Sequence, residues 1–220
     1  MNIGTVLFHN VSDVEVALMH SLLHDAASYA SQAQDPPAQA TEIPDLTPDL
    51  TPDQLTPAHQ VFTVAKSRHS VQTQHKLTLT PTWAFAGAPP IDVLIVPSGV
   101  TLPVRDGVLV SYLQDAARAA RYVLAIGSGV ALLGAGGMLT GLEVTAVAGL
   151  HDYLESCEVR AVRSEPVVMN PARAAAPALW CVLGGGYVLE VSLRLAEELF
   201  SANAAAAVRS RYYLQALAGE

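Results

Sequence analysis

The sequence predicts an α/β fold, a three-layer sandwich with a mostly parallel, doubly wound sheet and a small β-ribbon. Three observations lead there. Asp92-Val93-Leu94-Ile95-Val96 and Tyr122-Val123-Leu124-Ala125-Ile126 are apolar without alternation, as strands covered on both faces must be. Each runs into a small-residue turn, Pro97-Ser98-Gly99 and Gly127-Ser128-Gly129. Strand-like and helix-like segments alternate along most of the 220 residues, a length that suits one domain spanning 1–220.

The elements follow in order. Residues 3–8 read as a first strand, and a helix is expected from Asp13 to about Tyr29, with Val14, Ala17, Leu18, Ser21 and Leu22 at helical spacing. Residues 31–58 change character. Six of the fourteen prolines fall between Pro36 and Pro57, and Leu-Thr-Pro recurs at 46–48, 50–52 and 55–57, so a Pro-rich surface insertion without chemistry of its own is expected. Val61 to Ala65 resumes as a strand, and Ser70 to Thr80 alternates like an exposed ribbon. The Asp92 strand leads into an amphipathic helix from Val104 to Arg121, and Tyr122 to Ile126 forms the next central strand. Further strands are expected at Leu142 to Val147, Val159 to Val162, Pro166 to Met169 and Ala178 to Leu183. Helices from Tyr187 to Phe200 and Ala202 to Leu217 complete the chain.

Composition narrows the function. With 51% hydrophobic and 15% charged residues and a mean hydropathy of +0.32, global disorder is excluded. Twenty acids against twelve bases give a net charge of -8, and no Lys/Arg run offsets it. Direct binding of nucleic acid or of an anionic membrane is therefore not expected. Cys157 and Cys181 are too few for a disulfide framework and lack Cys-x-x-Cys spacing, which fits a reduced, cytoplasmic setting. The N-terminus has no basic region before its apolar residues and reads as a strand, not a signal peptide. Tyr122 to Leu142 is uncharged and long enough to span a bilayer, but its six glycines weaken a helix by up to roughly 1 kcal/mol each. A strand, a turn and a short buried helix are expected there instead.

In doubly wound sheets, ligands sit beyond the carboxyl ends of the central strands, where the two small-residue turns converge. Backbone amides there would make an anion or oxyanion site. The segment matches neither Gly-x-Ser-x-Gly, nor a P-loop, nor Gly-x-Gly-x-x-Gly from Gly127, so the hydrolase-elbow and nucleotide readings fall away. Ser128 could act as a nucleophile only with a base within hydrogen-bond reach, and a Ser128/His151 pair is the candidate; the ordinary reading is a helix N-cap serine and a surface histidine. Cys157 and Cys181 read as inert thiols in or next to strands. Among His9, His20, His24, His59, His69 and His75, His20 and His24 form a helical i,i+4 pair without a third ligand nearby, so neither a metal nor any other cofactor is expected.

The chain resembles the ThiJ/PfpI superfamily of class I glutamine-amidotransferase-like proteins, most closely the version fused to AraC-type transcriptional regulators. The resemblance rests on Val6-Leu7-Phe8 with Glu15 behind it, Leu77 to Pro81, Asp92 to Gly99, Tyr122 to Gly141, and Leu179-Trp180 through Gly184 to Glu197-Glu198-Leu199. It covers about residues 3–30 and 60–215 and implies a flavodoxin-like fold. The family's chemistry uses a cysteine at a strand-to-helix elbow, an acidic partner after the first strand, and often a histidine after the following strand. Matched residue by residue, Gly127 stands where the cysteine belongs and Val147 where the histidine would lie, while Glu15 keeps the acidic position. The Gly99 and Ser128 amides match the pocket donors. The resemblance thus implies a catalytically degenerate pocket of Glu15, Ser98, Gly99, Gly127, Ser128 and Val147 that binds a small polar metabolite, in a homodimer. The alternative is a hydrolase or hydro-lyase working through Glu15 and backbone amides, or through Ser128. Because the sequence ends at Glu220, directly after the last expected helix, no DNA-reading module is expected, and contact with DNA would need a partner protein.

Overall fold

Alternate residues of the central strands enter different cores, which is why those strands are apolar throughout. A computed structural model describes residues 1–34, 59–173 and 176–212. Its elements are β1 (Asn2–Val6), α1 (Asp13–Gln34), β2 (Gln60–Ala65), β3 (Val71–Gln72), β4 (Thr78–Leu79), β5 (Trp83–Ala84), β6 (Val93–Val96), α2 (Gly107–Ala119), β7 (Tyr122–Ile126), α3 (Val130–Ala135), β8 (Glu143–Thr145), α4 (His151–Ser156), β9 (Ala161–Arg163), β10 (Val167–Asn170), β11 (Ala178–Val182), α5 (Tyr187–Leu199) and α6 (Ala202–Arg211). Seven strands form the main sheet in the order β10-β11-β7-β6-β1-β2-β5, parallel except for β10, which runs antiparallel to β11.

On one face Leu94, Val96, Val123, Ala125, Leu179 and Cys181 pack with residues of α2, α3 and α4. On the other, Val93, Ile95, Leu124, Ile126, Trp180 and Val182 pack with α1, α5 and α6. The result is the expected three-layer α/β sandwich, and β3 pairs antiparallel with β4 to form the small ribbon.

Some boundaries differ from the sequence reading. Helix α1 runs on to Gln34, so residues 31–34 are helical and not part of a Pro-rich insertion; the rest of that expected insertion, residues 35–58, lies outside the described residues. The Leu142 to Val147 strand shortens to β8 and pairs with β9 in a separate two-stranded parallel sheet, not in the main one. Its local chemistry explains this. The Glu143 N–H is taken by Asn170 Oδ1 of β10, while its carboxylate pairs with Arg160 and with Arg163 of β9, so one side chain ties β8 to the main sheet and the ion pairs tie it to β9. The helix expected at Val104 begins later, at Gly107, because Asp106 caps it by accepting the Val108 and Leu109 N–H groups. Tyr122 to Leu142 forms β7, a turn and α3, and among the described residues no helix is long and apolar enough to cross a membrane.

The β7 turn lies directly on the β6 turn. An added Cβ at Gly129 would sit 2.5 Å from Pro97 O and closer still to Val96 O, both rigid backbone. Gly129→Ala is therefore expected to cost about 1–3 kcal/mol in denaturant unfolding by forcing the two turns apart; a cost under about 0.5 kcal/mol would mean that the turns are not in contact.

Candidate functional site

The site begins where β7 stops. Ile126 is still extended, Gly127 turns to φ +50°, and Ser128 and Gly129 lead as a 3-10 turn into α3. A residue without Cβ takes that left-handed conformation at little cost. A Cβ built on Gly127 would meet Ser98 Cβ at 3.1 Å and Ser98 Oγ at 3.6 Å. Ser98 therefore packs directly against position 127 and would have to give by a few tenths of an ångström to admit a side chain there.

Ser98 is held from the other side by Glu15. The segment Ser12-Asp13-Val14-Glu15 has the spacing of a capping box, in which the glutamate returns to the serine's own N–H. Half of the motif forms: Ser12 Oγ accepts the Glu15 N–H at 3.5 Å. The other half is diverted, because the Ser12 N–H donates to Ser98 O at 2.8 Å. The Glu15 carboxylate turns instead to Ser98, accepting its N–H at 2.7 Å on Oε2 and its hydroxyl at 2.7 Å on Oε1. Glu15 is buried at 7% exposure, which removes its ordinary reading as a solvent-facing helix residue. Burial pushes its pKa up, and the two Ser98 hydrogen bonds oppose that rise without cancelling it. Asp13 anchors the same helix start to the ribbon by accepting bonds from Thr73 Oγ1 and His75 Nδ1, and His75 holds its carboxyl below the usual range.

The second turn is braced internally as well. Ser128 Oγ donates to Gly99 O at 3.0 Å and accepts the Gly99 N–H at 3.1 Å. Ser128 is thus not a helix N-cap: α3 starts from Gly129 with no side-chain cap. The Gly99 amide, matched above to a pocket donor, is already spent. A Cβ at Gly99 would strike the Phe8 ring at 2.7 Å and Asn10 O at 2.8 Å, which explains the glycine.

The six matched residues therefore fall into two groups. Glu15, half-buried Ser98 and Gly127 meet at a junction with Gly184, whose own φ is +102° and whose added Cβ would lie 3.4 Å from Glu15 Oε1. Gly99, Ser128 and Val147 line an open depression of about 520 Å³ with Val100, Leu102 and Tyr153, while Glu15, Ser98 and Gly127 do not line it. Sequence reasoning missed the Ser98 hydroxyl as the partner of Glu15. The half-formed capping box was the available signal, and it points to Ser12 instead.

The remaining groups stand apart. His151 Nε2 lies 3.2 Å from Ala146 O, and the Ser128 hydroxyl is engaged with Gly99. Cys181 is buried in β11 with its thiol pushed up to about 12 by burial, and half-buried Cys157 caps the C-terminus of α4, so neither occupies the elbow. His20 and His24 stack at 6.2 Å, and among the described residues no group of three or more His, Cys, Asp or Glu could hold a metal.

The raised Glu15 pKa carries a sign. The folded state keeps its proton to higher pH than the unfolded chain, so this group loses stability as pH rises from the unfolded value near 4.5 through the folded pKa. Glu15→Gln can keep both contacts, with its oxygen accepting the Ser98 N–H and its amide donating to Ser98 Oγ. The stability of Glu15→Gln relative to the native chain, measured by thermal unfolding between pH 4 and 8, is expected to increase with pH. A difference that shrinks as pH rises would contradict the assignment.

A family model of the DJ-1/PfpI family matches residues 51–175. Isonitrile hydratase from Pseudomonas putida is 29% identical over 157 residues, which is 70% of this chain and 65% of that protein, so the match spans less than two thirds of the relative. Among solved structures, a ThiJ/PfpI family protein from Pseudomonas syringae superposes with a TM-score of 0.72 at 18% identity, covering all of this chain and 76% of the other. Drosophila melanogaster DJ-1beta superposes with a TM-score of 0.71 at 15% identity, covering 96% and 97% of the two chains. With the sheet order and the family match in agreement, and with glycine at the elbow as a departure, this chain belongs to the DJ-1/PfpI family.

Proposed function

We propose that this chain is a catalytically degenerate DJ-1/PfpI protein that acts by binding, as a small-metabolite sensor or regulatory domain of the kind joined to AraC-type regulators. One observation carries the reading: at the elbow position without a side chain, Ser98 packs against Gly127 and takes both oxygens of Glu15. A nucleophile needs a base free to receive its proton, and an oxyanion needs free N–H donors. Here the carboxylate is committed to Ser98, the Ser98 N–H to Glu15 and, of the two matched pocket donors, the Gly99 N–H to Ser128 Oγ, which leaves the Ser128 amide without its companion. The chain is a single domain in this reading, and its binding surface is the depression beside Ser128. Val100, Leu102, Val147 and Tyr153 there favour a metabolite with more apolar surface than the small polar ligand that the family resemblance implies.

The similarity to isonitrile hydratase supports a second reading, water addition assisted by Glu15. The two are separated by incubating the chain with an alkyl isonitrile and following its disappearance. No consumption above the buffer rate is expected, and Gly127→Cys with Ser98→Gly should introduce a thiol at the elbow that iodoacetamide labels while the native chain stays unlabelled there. Isonitrile consumption that Glu15→Gln abolishes would overturn the binding reading in favour of a hydratase.

A further inference from the structure

At the amino-terminal ends of β7 and β11, opposite the elbow, lies a groove of about 830 Å³. Ligands of doubly wound sheets normally sit at the other end, so this groove is no extension of the elbow site. Its walls carry Arg118, Arg121, Arg173 and Arg194, four of the twelve basic residues in a chain of net charge -8. A single carboxylate, Glu198, joins them, and it accepts the Tyr122 hydroxyl at 2.8 Å. Arg118 pairs with Asp115 at 3.2 Å. Among the described residues, Arg121, Arg173 and Arg194 have no carboxylate partner.

Two of these guanidiniums are placed by aromatic rings. Arg194 lies 5.8 Å from the centre of the Trp180 ring and Arg121 lies 5.8 Å from that of Tyr122, and the two rings meet edge to face at 6.1 Å. Cation–π contact of this kind orients a guanidinium without neutralising it, so its donors stay available. Cations gathered in one concavity repel each other, and an acidic protein has carboxylates enough to relieve them. Leaving three unpaired makes sense where the compensating charge comes from outside.

We infer that this groove binds a small polyvalent oxyanion, a molecule bearing two or more carboxylates or phosphates. Guanidinium forks match either group bidentately. The volume lies within the ordinary range for small-molecule sites. Size also selects against a nucleic acid strand: a compact anion feels the local arginines within a Debye length of about 8 Å, whereas a long polyanion must also meet the rest of a chain of net charge -8. The inference stands whether or not the elbow is inert.

Isothermal titration of the full chain with inorganic pyrophosphate and, separately, with citrate tests it, with acetate as the monovalent control. At least one of the two probes is expected to bind saturably at one per chain, more weakly at 150 mM than at 50 mM salt, and the probe that binds more tightly identifies phosphate or carboxylate as the natural group. Arg173→Gln combined with Arg194→Gln should weaken binding by about tenfold or more, while Arg68→Gln, outside the groove, should not change it. All three arginines are exposed, so both variants should fold. The inference is overturned if neither probe binds saturably, if the double variant binds as the native chain does, or if an oligonucleotide binds and neither small anion competes with it.

Discussion

A buried carboxylate must be given donors or kept protonated, and Glu15 draws both of its donors from one residue, Ser98. That pairing fixes more than two side chains. Through the Ser98 N–H and the Ser12 N–H bonded to Ser98 O, it ties the start of α1 to the turn after β6. The β6 turn in turn packs on the β7 turn, with Gly129 against Val96 and Pro97 and with Ser128 clasping Gly99. Three chain segments that meet where the sheet's carboxyl edge would present reactive groups are bonded to one another.

The position of Gly127 gives that closure its meaning. A left-handed elbow in a non-glycine residue stores strain that a functional side chain can justify; with glycine there is neither strain nor side chain. The neighbouring Ser98 side chain packs against Gly127 and at the same time supplies a hydroxyl to the carboxylate, so the buried charge is not left unsatisfied. Open sites lie elsewhere among the described residues, including the apolar depression beside Ser128 and the arginine groove at the far end of the strands.

Much of the fold was legible because it is written in local periodicity. β7 matches its expected residues at both ends, and α5 ends one residue from its expected limit, since unbroken apolarity and helical spacing are properties of the segment itself. β8 was recognisable as a strand but its sheet was not, because apolarity reveals burial and not partner; it pairs with β9, and its Glu143 carboxylate meets Arg160 and Arg163 beside that strand. The short helix α4 went unread, its six residues being too few to show a period. At the site, the family resemblance located Glu15, Gly127 and Ser128, but their bonding was hidden. Ser98 is 83 residues from Glu15 and Gly99 is 29 from Ser128, and in each case a local motif, a capping box or an N-cap, offered a plausible alternative partner.

The account rests on Ser98 and Glu15 acting as a unit, and a double-mutant cycle in unfolding free energy measures that directly. Ser98→Ala, Glu15→Ala and the combined variant, compared near neutral pH, are expected to show a coupling of about 1–3 kcal/mol, because each residue satisfies the other in a buried place. Additive effects, with a coupling indistinguishable from zero, would show that the serine does not hold the carboxylate and that Glu15 is free to serve a reaction.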